Sequence, residues 1–380
     1  MAHARQRWMR LALIPVWLLA TMAPAAEGPP ALNVYFGSFG AETLYSGEQG
    51  TPRDVYEHAR AVDGMDFLAM TSRGPSSSLS EVAALVNATS AGRFVALSGR
   101  QYGPASGGQR VTVFELRESA DSDAVPAERP DLFYRSWLPR QMDTTLSPPI
   151  VHLADPQGQD VDTGILNLGS SEAFRAAAAP YVRTLQIMSG RSNGPTPEHA
   201  PTTVRWRPYL NYLNAGFRLA PTADWEGSSR TRGPAPGQRT AVLARSLSKN
   251  DILDSVRQRR VYASEDRNLT IGFSINGHPM GSVVPMAEGT PLRIELTFAD
   301  PDESGAYHIV SLRHDVPGGG LDAERQLSGT DFRGDGRVVF TQFKRGGTDE
   351  YFLANIVQEG ADGTDSAWTA PIWLVSTEGR

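Results

Sequence analysis

Four carboxylates, Glu42, Asp155, Asp224 and Glu226, and two guanidiniums, Arg73 and Arg110, stand where this chain could do chemistry. Hard cations accept several carboxylates, so the four acids could form an all-oxygen site for calcium or magnesium. Arg73 and Arg110 would repel such a cation. They could instead neutralise the acids through charge-assisted hydrogen bonds, lie in solvent, or recognise an anion. The chain has no cysteine, which removes disulfides, thiolate zinc, cysteine-held iron-sulfur clusters and cysteine nucleophiles. Any metal would have to sit on His, Asp, Glu or backbone oxygen. There are seven histidines. His58 falls in a helical pattern, His152 inside a strand just before a loop, His199 in a Pro-rich stretch, and His278, His308 and His314 in the C-terminal third. His3 belongs to the N-terminal segment. Each reads as a core or surface histidine, with His152 nearest the candidate pocket. No Gly-x-Ser-x-Gly elbow, phosphate loop or dinucleotide fingerprint follows a strand.

The elements that must position these groups alternate between short apolar runs and helical stretches. Strands are expected at 32–36, 65–71, 93–98, 111–116, 149–154 and 184–188, with a less regular one at 216–221. Thr51-Pro52-Arg53-Asp54 reads as an N-cap, a first-turn proline and a capping acid, and Val55, Ala59 and Val62 continue one apolar face. A second helix spans 79–89. Ser248-Lys249-Asn250-Asp251 repeats the capping pattern before Ile252, Leu253 and Val256, and this helix closes the first domain. Parallel strands joined by crossover helices place function at the strands' carboxyl ends, where the residues above stand. After about residue 267 the helical period stops. From Leu269 to Ile275 onward, strands are separated by Asn-Gly, Pro-Asp, Gly-Gly and Asp-Gly turns.

The 380 residues, 40% hydrophobic and 21% charged, suit two or three globular segments. A net charge of −6 with scattered arginines offers no electropositive stripe for nucleic acid. Arg5, Arg7 and Arg10, the apolar run 11–22 and the small residues 23–26 read as an export signal, too short for a membrane anchor. The expectation is an exported protein, periplasmic or extracellular, with no membrane span after cleavage. Trp206, Tyr209, Tyr212 and Trp225 could stack on a sugar or base, core packing being the commoner use. Trp368 and Trp373 are expected to seal the C-terminal domain or its contact with the first.

Taken in order, Tyr35-Phe36-Gly37-Ser38-Phe39-Gly40-Ala41-Glu42-Thr43, Met65-Asp66-Phe67-Leu68-Ala69-Met70-Thr71, Gly92-Arg93-Phe94-Val95-Ala96-Leu97-Ser98-Gly99, Pro149-Ile150-Val151 and Ala220-Pro221-Thr222-Ala223-Asp224, with the closing Ala367 to Trp373, resemble the polymerase-and-histidinol-phosphatase (PHP) superfamily, in its CehA/McbA-type metallohydrolase branch. The resemblance implies an α/β fold: a distorted (β/α) PHP-type barrel over 32–265, after a signal peptide at 1–26, then an all-β sandwich-like domain over 266–380. It also implies a strand-end cluster of two or three divalent metals held by histidines and acids. At those positions this chain has Gly40 and Glu42, Ser72 and Arg73, Gln101, Arg110, Asp155, Gln186, and Asp224, Glu226 and Ser228. Nearly every imidazole is replaced, and losing ligands costs a metal site orders of magnitude in affinity. The expectation is a non-catalytic protein with no cofactor, binding a small anionic ligand or a protein partner in a metal-free pocket. The alternative is a diverged, phosphoesterase-like hydrolase using a carboxylate-based site for Mn, Zn, Mg or Ca.

Overall fold

A computed structural model describes residues 32–42, 51–72, 77–103, 110–116, 129–141, 147–154, 172–190, 203–204, 206–225, 237–302, 306–315, 325–327, 331–333, 336–345, 348–360 and 363–377. The expected signal segment lies outside them. The elements run β1 (Asn33–Glu42), α1 (Pro52–Ala61), β2 (Phe67–Ser72), α2 (Ser77–Thr89), β3 (Val95–Tyr102) and β4 (Arg110–Phe114). A helical stretch follows as α3 (Pro130–Leu132), a π-helical turn (Phe133–Trp137) and α4 (Leu138–Arg140). Then come β5 (Ile150–Ala154), α5 (Glu172–Ala178), β6 (Val182–Gly190), β7 (Thr203–Val204), α6 (Trp206–Asn214), β8 (Ala220–Trp225), β9 (Arg239–Ala244), α7 (Lys249–Arg257) and β10 (Val261–Ser264). The remainder is β11 (Thr270–Ile275), β12 (His278–Pro279), β13 (Val283–Met286), β14 (Pro291–Ala299), β15 (Ala306–Asp315), β16 (Arg325–Leu327), β17 (Asp331–Arg333), β18 (Gly336–Phe343), β19 (Glu350–Gly360), β20 (Gly363–Thr369) and β21 (Ile372–Ser376).

The helix starts follow from their caps. Asp54 N–H donates to Thr51 Oγ1 at 3.3 Å and Thr51 N–H to Asp54 Oδ2 at 2.8 Å, a closed capping box. Ser248 caps α7 through Asp251 N–H at 3.1 Å, but the Asp251 carboxylate takes Ser246 Oγ instead, so only half the expected box forms. β1 continues past the expected end at 36 as far as Glu42, with a bulge between Ser38 and Ala41. Gly37 permits this: a Cβ there would lie 2.1 Å from Phe67 O of β2.

One ladder runs β8-β6-β5-β4-β3-β2-β1-β9-β10-β20-β19. β1, β2 and β3 are parallel, as are β5, β6 and β8. The expected parallel βα rhythm breaks at β4, which is antiparallel to both β3 and β5. Segment 103–109 is too short for a crossover, which needs a dozen residues or so. The sheet curls until β8 meets β1 and β9. No ladder joins that seam among the described residues; side chains bridge it instead. Asp224 accepts Phe39 N–H, and Thr240 Oγ1 accepts Ala223 N–H and donates to Ala223 O.

The sheet passes the boundary expected at 265/266 without a break. β10 and β20 extend it, β19 carries β15 and β21, and β13 pairs with β21. Residues 32–380 cluster as one unit. A separate antiparallel sheet has the order β12-β11-β14-β18. Alternation buries Ile271, Phe273 and Ile275 with Leu292, Ile294, Leu296 and Phe298, in one apolar core with Phe352, Ile356, Ile372 and Leu374. Trp206 of α6 stacks on Trp368 of β20 with centroids 6.3 Å apart, tying the C-terminal strands to the first segment.

Candidate functional site at the strand ends

Strand alternation sorts the curled sheet into two faces. Leu68 and Met70 of β2 and Ala96 of β3 pack outward with α1 and α2, while Phe67, Ala69, Val95 and Leu97 face inward. The same parity carries Phe39, Phe114, Ile150 and Ala220 into the interior. Phe39 is the plug: its ring lies 5.2 Å from Phe67, 5.8 Å from Phe114 and 6.1 Å from His152.

One step further toward the carboxyl ends, the inward positions turn polar. Thr71, Gln101, Thr112, His152, Thr184, Gln186, Thr222, Asp224 and Thr240 are all buried. Gln101 Nε2 donates to Thr71 Oγ1 at 2.8 Å. His152 Nδ1 lies 2.9 Å from Thr184 Oγ1. Asp224 is the hub. Its Oδ1 accepts Phe39 N–H at 2.8 Å and the Thr240 hydroxyl at 3.3 Å, and its Oδ2 accepts the Thr222 hydroxyl at 2.8 Å. His152 Nε2 stands 3.2 Å from Oδ2, off the line of a hydrogen bond. Both side chains are 0% exposed. A carboxylate offers about four acceptor positions; Phe39 N–H and the Thr222 hydroxyl fill two, and the single Thr240 proton is shared with Ala223 O at 2.8 Å.

The sequence-derived positions separate clearly. Gln101, Gln186 and Asp224 lie in the inward polar layer; Gln186 sits at a β6 bulge opposite Thr222, its Nε2 3.5 Å from Met188 O. Gly40 lies within β1, its N–H donating to Ser38 Oγ at 3.3 Å. Glu42 ends β1 opposite Thr71, and Arg110 opens β4 opposite Ala154. Ser72 is buried but has the outward parity of Leu68 and Met70, so it does not join the layer. Arg73, Asp155, Glu226 and Ser228 lie outside the described residues. Arg73 and the Arg110 side chain lie outside what is described, and with them the expectation that either neutralises Asp224; the described partners of Asp224 are an amide, two hydroxyls and an imidazole. Sequence reasoning passed over the threonines. Their signal was positional, since Thr71, Thr112, Thr184, Thr222 and Thr240 each fall at the polar end of an inward register.

The described donors do not fit a cluster of divalent ions. Both Asp224 oxygens already accept hydrogen bonds, and its described neighbours in the layer are hydroxyls, amides and one imidazole. Three ligating side chains approach within 4.8 Å at one place among the described residues, Asp266, Asp300 and Asp302, in the segments that follow β10 and β14. That group is internally compensated: Asp266 Oδ1 accepts the Asn268 and Leu269 amides, Gln358 donates to Asp300, and Arg267 pairs with Asp302 at 2.6 Å. Of the aromatic residues weighed for stacking, Tyr209 donates its hydroxyl to Leu219 O at 3.0 Å and Tyr212 is buried, while the Trp225 side chain lies outside what is described.

No family model matches the chain, and no curated protein matches it. Among solved structures it is similar to a two-domain protein from Bacteroides vulgatus, described as containing a predicted PHP-like metal-dependent phosphoesterase, at 13% identity and TM-score 0.44 over 87% of this chain and 93% of that one. It is also similar to a protein from Bifidobacterium adolescentis described as a metal-dependent phosphoesterase, at 16% identity and TM-score 0.32 over 59% of this chain and 96% of that one. A third similarity, to a chitin binding domain from Burkholderia pseudomallei, has 15% identity and TM-score 0.15 over 25% of this chain and 56% of that one.

Proposed function

We propose that this is an exported protein with a PHP-type barrel whose strand-end mouth binds a ligand or partner without a metal and without catalysis. The observation that carries this reading is the engagement of both Asp224 oxygens within the sheet. A metal ion would compete with the bonds this buried carboxylate accepts from Phe39 N–H and the Thr222 and Thr240 hydroxyls. Hydroxyls and amides around it can bond a polar ligand but supply neither a strong nucleophile nor a general base tuned by a metal. Export rests on the basic and apolar start of the sequence.

Metal content and turnover test the proposal. Purified protein is expected to carry no stoichiometric Mn, Zn, Mg or Ca, and to leave a generic phosphodiester uncleaved with each metal added. Tightly bound metal together with metal-dependent turnover would overturn it in favour of a carboxylate-based phosphoesterase. N-terminal sequencing of the secreted protein checks export, with Glu27 expected as the first residue.

A further inference from the structure

At the end of the sheet opposite the mouth, arginines gather from several elements. Arg183 is the second residue of β6, Arg257 ends α7, Arg259 lies in the turn leading to β10, and Arg218 precedes β8. We propose that Arg183, Arg257 and Arg259 form an oxyanion site that takes a phosphate or sulfate group.

The guanidiniums are held by backbone carbonyls more than by acids. Arg183 Nη1 donates to Ala179 O at 2.6 Å, and its Nη2 donates to Pro180 O. Arg257 Nε donates to Pro148 O at 3.2 Å and its Nη1 pairs with Asp254 at 2.8 Å, leaving a buried Nη2 with no hydrogen-bond partner. Arg259 directs Nε and Nη2 to Gly281 O at 3.3 and 3.2 Å, its guanidinium 5.4 Å above the Trp373 ring. That leaves the Nη1 donors of Arg259 uncommitted.

Arg259 is built into place. It adopts a left-handed φ of 58°, a conformation that side-chain-bearing residues rarely hold without a reason. The turn rests on Gly281, where a Cβ would come within 2.3 Å of Gln258 O and 2.4 Å of Arg259 O. Burial and the like charges of Arg183 and Arg218 push the Arg259 pKa down to about 9, and burial with Arg257 lowers that of Arg183. Among the described residues no carboxylate offsets either group. A guanidinium keeps its proton at neutral pH, so the fold holds crowded positive charge that an oxyanion would relieve through forked, charge-assisted hydrogen bonds.

The experiment titrates the full chain with sodium phosphate, sodium sulfate and, at matched ionic strength, sodium chloride, reading melting temperature and heat of binding. A saturable rise with the oxyanions and none with chloride is expected. Arg183→Gln and Arg259→Lys should each weaken apparent Kd about tenfold, the loss of one charge-assisted fork. Arg53→Gln, in an exposed helical pair, should leave it unchanged. Equal responses to phosphate and chloride, or an unaltered Kd in the variants, would overturn the site. Should Arg259→Lys not fold, Arg183→Gln and Arg257→Gln decide the matter. Inorganic polyphosphate supplies a second arm. Binding more than about tenfold tighter per phosphate, with the same arginine dependence, assigns a polyanion as the source. Equal affinity assigns a small phosphorylated molecule, and polyphosphate binding that survives the variants counts against the proposal.

Discussion

Asp224→Ala separates a structural hub from a metal ligand, because the two roles predict opposite effects on metal-free protein. The carboxylate is fully buried and bridges three strands: it accepts Phe39 N–H from β1, the Thr222 hydroxyl within β8 and the Thr240 hydroxyl from β9. No backbone ladder joins β8 to β1 among the described residues, so these bonds hold the seam. Hydrogen bonds to a charged group contribute about 1.5–3 kcal/mol each, and an orphaned buried donor costs about 1–3 kcal/mol. Alanine strands the Phe39 amide and frees the Thr222 hydroxyl. Thr240 is spared, since its hydroxyl also reaches Ala223 O at 2.8 Å. The expected loss is thus about 3–5 kcal/mol, a large part of the roughly 5–15 kcal/mol that stabilises a typical domain. Urea unfolding followed by fluorescence in the presence of chelator, with midpoint and slope fitted together, measures it. A loss under about 1 kcal/mol would refute the hub, since a carboxylate kept for a metal is dispensable to the apo fold. Asp224→Asn refines the result: its amide oxygen can keep the Phe39 bond while its NH2 faces His152, so an intermediate loss is expected.

Three further outcomes follow from local geometry. Gly37→Ala places a methyl group 2.1 Å from Phe67 O and should force β1 from β2, costing more than about 3 kcal/mol or soluble expression, read by urea unfolding and yield. Thr51→Ala removes the α1 cap and half of its box, for about 1 kcal/mol in the same assay. Asp66 has its pKa raised by burial, against the opposing Phe36 N–H bond at 2.8 Å. Its contribution to stability is therefore present below the ordinary value of 3.8 and is lost as pH rises through the higher folded value. Asp66→Asn should accordingly be less destabilising at pH 7 than at pH 4, and unfolding midpoints at both pH values that show the reverse order would contradict this.

Much of the architecture is written in local patterns. The reciprocal cap at Thr51 and Asp54, the apolar faces of α1 and α7, and the runs at 65–71 and 149–154 depend on neighbours within a few residues, so their spacing alone reveals them. β9 and α6 were harder to read. Residues 239–244 lack a turn signal to set them apart from the glycine-rich segment before them, and the aromatic residues of α6 read as core or, less commonly, as a stacking surface until Trp368 is placed beside Trp206.

The sequence by itself determined which ligand chemistry is available: with no cysteine, any metal would have to sit on His, Asp, Glu or backbone oxygen. Only the tertiary structure decided how the acids it describes are held. The described partners of Asp224 come from positions 39, 152, 222 and 240, joined by sheet curl and strand parity. Such partnerships depend on register and closure, which are set by the packing of the entire sheet, and a linear pattern of residue types does not encode them locally.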